Sequence, residues 1–258
     1  MKLGFIGMGN MATALCRGFL AAGVPAGEVC AFDPAAEKLS AMAEELGITA
    51  LPSERAVAEW ADMVLVACKP YHVEGALQAM GDALSGKALL SIALGWDHAK
   101  YRALLGENVR VQFVMPNTPA MVGEGMFLFE ATTSFTAEEL KFAKALFSDI
   151  GAVEVLPTQL MGIGGALSGC GPAFVDLLIE AFADAGVLYG MPRDQAMKLV
   201  SQTVKGSAKL QQETGLHPGV LKDMVCSPGG STIRGVAALE KNGYRAACIA
   251  AIEAIMKS

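Results

Sequence analysis

Two patterns of apolar and polar positions alternate through the first half of the chain. Short apolar-rich runs recur at Leu3-Gly4-Phe5-Ile6, Glu28 to Phe32, Asp62 to Cys68, Lys87 to Ala93 and Val109 to Val114 and predict strands. Asp62 to Cys68 is apolar on both faces, as a central parallel strand should be. Helical periods lie between them. Asn10 to Ala22 puts Met11, Ala14, Leu15, Gly18 and Phe19 on one face, and Pro34 to Leu46 is a second helix ended by Gly47. Further helices are expected around Tyr71 to Leu84 and Asp97 to Leu105. This β-α-β-α rhythm is that of an open, Rossmann-type parallel sheet.

After Pro119 the rhythm changes. Gly125 to Phe129 and Ala152 to Leu156 predict strands on either side of a helix from Thr136 to Ile150. Beyond Pro157 no strand pattern remains. Helices are expected at Phe174 to Leu188, Pro192 to Glu213, Pro218 to Val225, Thr232 to Lys241 and Tyr244 to Lys257. The chain therefore divides into an α/β dinucleotide-binding domain, residues 1–157, and an all-helical domain, residues 158–258. On the helix Phe174 to Leu188, Asp176, Glu180 and Asp184 form one stripe, read as a solvated face, and the rest is apolar. Such a helix is expected to be covered on several sides, including by a second subunit.

Composition sharpens this picture. Charged residues make up 18% of 258, and the residues AVILMFWYC make up 53%. Disorder is excluded, since it requires low hydrophobicity and high charge. With little polar surface to cover the fold, a self-association interface is expected. The net charge of −6 and the lack of any Lys/Arg cluster exclude a nucleic-acid footprint. The six cysteines form no C-x-x-C pair and none has a histidine at metal-ligand spacing. No metal site is expected, and the cysteines read as buried apolar residues of a reducing, cytoplasmic compartment. Val155 to Val175 is free of charge, but it contains two prolines and five glycines, so no membrane-spanning helix is expected there.

The first candidate site is Gly7-Met8-Gly9-Asn10-Met11-Ala12, between a strand and a helix. It matches G-x-G-x-x-G/A in the required context. Gly7 permits a sharp turn, Gly9 leaves room for a pyrophosphate, and Ala12 lets the helix lie close to the sheet. The free N–H groups and the positive helix end would hold phosphates. Asp33 ends the second strand, where an acid that accepts from a ribose 2′-hydroxyl belongs. It would repel a 2′-phosphate, which leans mildly to NADH over NADPH. Lys69-Pro70, Ser91 to Gly95 and Met115-Pro116-Asn117-Thr118-Pro119 end later strands at the same edge, and Asn117 could offer its amide to a ligand. The second site is Cys226-Ser227-Pro228-Gly229-Gly230-Ser231-Thr232-Ile233. There two glycines and two hydroxyls precede or open a helix, forming a cradle for a small carboxylate or phosphate; an ordinary N-cap is the alternative.

Together these stretches resemble the pyrroline-5-carboxylate reductase family. The matching pieces are Gly4 to Met11, Lys69-Pro70, Met115 to Pro119, Leu167-Ser168-Gly169-Cys170-Gly171-Pro172-Ala173, His217-Pro218, Leu221-Lys222-Asp223 and Ser227 to Ile233. They stand in the family's order along nearly the whole chain. The resemblance implies NAD(P)H-dependent reduction of 1-pyrroline-5-carboxylate to L-proline, the last step of proline biosynthesis, in an intertwined homodimer or larger homo-oligomer. It implies that Ile6, Gly7, Met8, Gly9, Asn10, Met11, Ala67, Lys69, Pro70, Ala93, Leu94 and Gly95 line the cofactor. It implies further that Gly229, Gly230, Ser231 and Thr232 hold the substrate carboxylate, with the Thr232 hydroxyl at the imine nitrogen. Three residues depart from the common pattern: Cys170 stands in place of a serine, Ser231 in place of a threonine, and Asp33 where groups suited to a 2′-phosphate are usual. A β-hydroxyacid dehydrogenase has a similar N-terminal motif but needs a lysine early in the second domain, and Ser168 to Leu178 contains none.

Overall fold

The apolar runs form the centre of one eight-stranded sheet in a computed structural model that describes residues 1–257. The strands are β1 (Leu3–Ile6), β2 (Val29–Phe32), β3 (Thr49–Ala50), β4 (Met63–Val66), β5 (Ala88–Ser91), β6 (Arg110–Met115), β7 (Gly125–Glu130) and β8 (Gly151–Leu156). Their order is β3-β2-β1-β4-β5-β6-β7-β8. All pairs from β3 to β6 are parallel. The order reverses at β1, which leaves a crevice at the carboxyl ends of β1 and β4. β7 runs antiparallel to β6, and β8 runs parallel to β7.

Side-chain alternation along each strand sorts the core into two layers. Leu3, Phe5, Met63, Leu65 and Leu90 face α1 (Asn10–Ala21), α2 (Ala36–Leu46) and, later in the chain, a helix carrying Phe147. Ile6, Cys30, Val64, Val66 and Leu89 face α3 (Glu54–Trp60), α4 (Val73–Met80) and the Tyr101 of α5 (His98–Leu105). Phe147 belongs to α6 (Ala137–Ser148) and meets Phe19, Phe127 and Phe129 edge-on, with ring centroids 4.8–5.5 Å apart. Caps set the starts of three helices: Ser53 for α3, Asp97 for α5, and a Thr136–Glu139 capping box for α6.

Three features depart from the sequence reading. The helix expected from Tyr71 to Leu84 is α4 between two 3-10 turns, because Gly81 takes a positive φ of 53° and stops the α-helical ladder. β3 and α3 carry no expectation: one has two residues, and the other is two turns long. A further helix, α7 (Thr158–Ser168), lies on β7 and β8 beyond Pro157. Its Gly164 and Gly165 admit Leu128, Leu156 and Met115 where any side chain would collide. The first compact unit accordingly runs from Met1 to Cys170.

The second unit starts at Gly171 and is all helical: α8 (Gly171–Leu188), α9 (Arg193–Thr214), α10 (Pro218–Met224), α11 (Ser231–Lys241) and α12 (Tyr244–Met256). α8 begins three residues earlier than its apolar period suggests, since Pro172 is tolerated in a first helical turn. α8 packs on α9 where Gly186 meets Ala196, and Asp184 pairs with Arg193 at 2.6 Å. Burying a Leu or Phe fully stabilises a fold by about 1.5–3 kcal/mol. Among the described residues of this unit only Ala183 and Ala196 are buried. Phe174, Leu177, Phe182 and Leu188 are all exposed in the isolated protomer.

Thr158–Leu188 is, among the described residues, the one stretch apolar and long enough to cross a membrane. A turn at Gly169–Cys170 interrupts it, and its first half lies against the sheet.

Candidate active site

The glycine-rich turn sits at the carboxyl end of β1, as its strand-turn-helix context requires. Gly7 has a φ of +91°, and its N–H donates to the Phe32 carbonyl at 2.8 Å. A Cβ at Gly7 would lie 2.9 Å from the Cys68 backbone, so no other residue fits between β1 and the end of β4. Gly9 faces open space and is the N-cap of α1, with no side-chain capping bond. The first N–H groups of α1, those of Asn10, Met11 and Ala12, therefore remain for a ligand. Ala12 is buried against the sheet, while Met8 is buried and Met11 half-buried. A bare, uncapped helix end beside an open glycine suits a pyrophosphate.

Asp33 stands beside this turn with both carboxylate oxygens engaged. One accepts from the Met8 N–H at 2.8 Å and the other from the Ala35 N–H at 2.9 Å. The carboxylate thus braces the turn, a role its strand-end position did not reveal. Each oxygen keeps a lone pair that could still accept from a ribose hydroxyl.

The neighbouring loops complete the edge. Ala67 and Cys68 follow β4, Lys69 is exposed, and Pro70 opens a 3-10 turn over Pro70–His72. Burial pushes the Cys68 thiol up to about 11, so this side chain beside Gly7 stays uncharged at neutral pH. After β5, Ala93 is buried, while Leu94 and the positive-φ Gly95 are exposed. Asn117 braces its loop. Its Oδ1 accepts from the Met126 N–H at 2.8 Å and its Nδ2 donates to the Ser168 carbonyl at 3.0 Å, so the buried amide ties the loop after β6 to β7 and α7.

Sequence reasoning missed Trp96. Its indole N–H donates to the Pro70 carbonyl at 3.0 Å and links the two cofactor-edge loops. A lone Trp after a glycine carries no pattern that would have pointed to this.

The second unit holds the other candidate. α10 starts at Pro218, capped by the His217 Nδ1, which accepts from the Gly219 N–H at 3.0 Å. The chain then turns through Ser227 to Gly230, with Gly230 donating to the Ser227 carbonyl at 3.0 Å and Gly229 at a φ of +70°. The Ser227 Oγ occupies the space a side chain on Gly230 would need. Gly230 is the N-cap of α11 and brings no side-chain capping bond. Ser231 and Thr232 are exposed at this helix end, where the first N–H groups have no side-chain cap. An anion cradle and an ordinary Gly N-cap are both compatible with this geometry.

The six cysteines are free; only Cys16 and Cys30 are buried as expected, while Cys68, Cys170 and Cys226 are half-buried and Cys248 is exposed. Among the described residues no group of His, Cys, Asp or Glu could hold a metal ion.

Residues 158–258 match the family model for pyrroline-5-carboxylate reductase dimerisation, and residues 2–95 match that for NADP oxidoreductase, coenzyme F420-dependent. The chain is similar to pyrroline-5-carboxylate reductase of Escherichia coli, 41% identical over 99% of this chain and 96% of that protein. It is 40% identical to the enzyme of Treponema pallidum over the whole of both. The crystal structure of Plasmodium falciparum pyrroline carboxylate reductase with NADP bound superposes with a TM-score of 0.90 at 32% identity, covering 100% of this chain and 96% of that one.

Proposed function

The chain belongs to the pyrroline-5-carboxylate reductase family, and from that membership we propose that it reduces 1-pyrroline-5-carboxylate to L-proline, the last step of proline biosynthesis. The observation that carries this reading is the uncapped start of α11 with Ser231 and Thr232 exposed on it.

The reduced nicotinamide, NADPH or NADH, supplies a hydride to the C=N carbon of the ring. The protein's part is binding and orientation. The N–H groups at the start of α1 hold the pyrophosphate. Asp33 supports the turn and meets the adenosine ribose, and Ala67, Lys69, Pro70, Ala93, Leu94 and Gly95 form the walls. Asn117 acts indirectly, by holding its loop. In the second unit, Gly229, Gly230, Ser231 and Thr232 hold the substrate carboxylate by N–H and hydroxyl donation. The Thr232 hydroxyl stands at the imine nitrogen, which needs one proton. A cyclic imine protonates readily, so no strong acid is required of the protein. On this division residues 1–157 serve the dinucleotide, and residues 158–258 serve the substrate and self-association as a homodimer or larger homo-oligomer. The free thiols support a cytoplasmic enzyme.

The test is oxidation of NADH and NADPH at 340 nm with pyrroline-5-carboxylate, a six-membered imine and a 3-hydroxyacid in the reverse direction. Turnover confined to the five-membered imine is expected. Thr232→Ala is expected to lower kcat by about tenfold or more with dinucleotide binding unchanged. No turnover with any imine would overturn the reading.

A further inference from the structure

The loops that follow β4 and β5 are separate in sequence, yet one side chain fastens them together. The Trp96 N–H donates to the Pro70 carbonyl at 3.0 Å, while the same carbonyl accepts the Val73 N–H that closes the 3-10 turn. Trp96 is 6% exposed, and this bond is part-buried. Its ring rests on Tyr101, with centroids 5.1 Å apart. The Tyr101 hydroxyl is 2.6 Å from the Ser91 Oγ, which accepts from the Ala93 N–H at 3.1 Å. On the outer side Lys100 places its ammonium 4.3 Å from the centre of the Trp96 ring and donates to the Gly95 carbonyl at 3.2 Å.

The Pro70 carbonyl, the Ala93 N–H and the Gly95 carbonyl in this chain of contacts all belong to the loops after β4 and β5. Ala93 and Gly95 are tied from one side and Pro70 from the other. We propose that Trp96 is a positioning residue for the dinucleotide: it sets the width of the gap between the Lys69–Pro70 and Ala93–Gly95 loops, with Tyr101 as its seat and Lys100 as its clasp. Trp96 touches no reacting atom. Its effect is on how well the two loops are arranged before binding, and pre-arrangement of this kind acts on affinity. The inference rests on the reading that the first unit holds the dinucleotide.

Trp96→Phe removes the N–H and keeps a ring on Tyr101, and Pro70 retains the Val73 bond. The dissociation constants for NADH and for NADPH, measured by calorimetry without imine, are expected to rise about three- to tenfold, the worth of one net hydrogen bond. The KM for the imine and kcat at saturating dinucleotide should stay close to those of the unaltered chain, and the melting temperature should fall by only a few degrees, roughly the cost of the lost bond and the smaller ring. Lys100→Met, at an exposed position, should raise both dissociation constants about twofold. Unaltered affinity in Trp96→Phe would overturn the inference alone. So would a fall in kcat and melting temperature matching the loss of affinity, since that marks a merely structural side chain. If the unaltered chain binds neither dinucleotide, the inference falls together with the reading beneath it.

Discussion

Asp33 holds two N–H groups and is also the acid proposed to meet the ribose, and the two tasks place different demands on one carboxylate. Met8 and Ala35 each use one oxygen, which fixes the plane of the group. A fixed carboxylate with lone pairs to spare suits a ribose hydroxyl better than a 2′-phosphate. Of the residues that follow, Pro34 to Lys38, only Lys38 is a cation that could offset this charge. Asp33→Asn keeps one acceptor but places an amide where the other N–H donates. Affinity for NADH is expected to fall about tenfold or more, the range of a hydrogen bond to a charged group, while affinity for NADPH changes less. Titration of both dinucleotides checks it; an unchanged ratio of the two constants would show that Asp33 only braces the turn. Asn117 marks the reverse case. Its place between two prolines at the sheet edge resembles a ligand contact in sequence, and only the partners of its amide show that it holds α7.

At the scale of elements, α6 shows how a helix start and a strand start stabilise one another. Glu139 closes the capping box by accepting from the Thr136 N–H at 2.9 Å, and it also takes Arg110 of β6 in a two-toothed pair at 2.6–3.0 Å. Burial pushes the Glu139 carboxyl up, but Arg110 and Thr136 outweigh it and hold the group below its ordinary value. The folded chain therefore keeps this carboxylate charged at a pH where the unfolded chain has taken up the proton. Its stabilisation is complete above the ordinary carboxyl range and is lost as pH falls through the lower, folded value. Glu139→Gln is expected to destabilise by about 1–3 kcal/mol at neutral pH, with the gap to the unaltered chain closing at acid pH. Melting curves at neutral pH and near pH 4 check both. The central strands of this unit and the helix starts at Asp97 and Thr136 were legible because an apolar run and an N-cap residue each leave a local mark. β3, α3 and α7 were not. Two residues of strand show no period, and the packing surface of α7 is made by Gly164 and Gly165, which an apolar pattern does not register. The antiparallel turn of β7 was equally hidden, since strand direction depends on the path of the connection and not on the run itself.

At the scale of the whole molecule, the helical unit cannot account for its own stability. Ordering a residue costs roughly 1–2 kcal/mol in backbone entropy alone. Against that, the unit fully buries only Ala183 and Ala196 among the described residues, while large side chains such as Leu177, Leu188 and Tyr189 are more than 60% exposed. A folded unit with this surface needs a second copy to cover it, and the dimerisation family model spans these residues. The same fact explains why Thr158–Leu188 has the composition of a membrane span: an apolar helix covered on several sides reads alike whether lipid or protein covers it. The acidic stripe of α8 separates the two, because Asp176, Glu180 and Asp184 are exposed and Asp184 pairs with Arg193, an arrangement costly in hydrocarbon. Leu177→Glu should therefore convert the oligomer to monomer at micromolar concentration, as read by sedimentation velocity. The melting transition of the helical unit should fall with it, while the first unit continues to bind dinucleotide. An oligomer of unchanged size in Leu177→Glu would place the covering interface on another face of the helices.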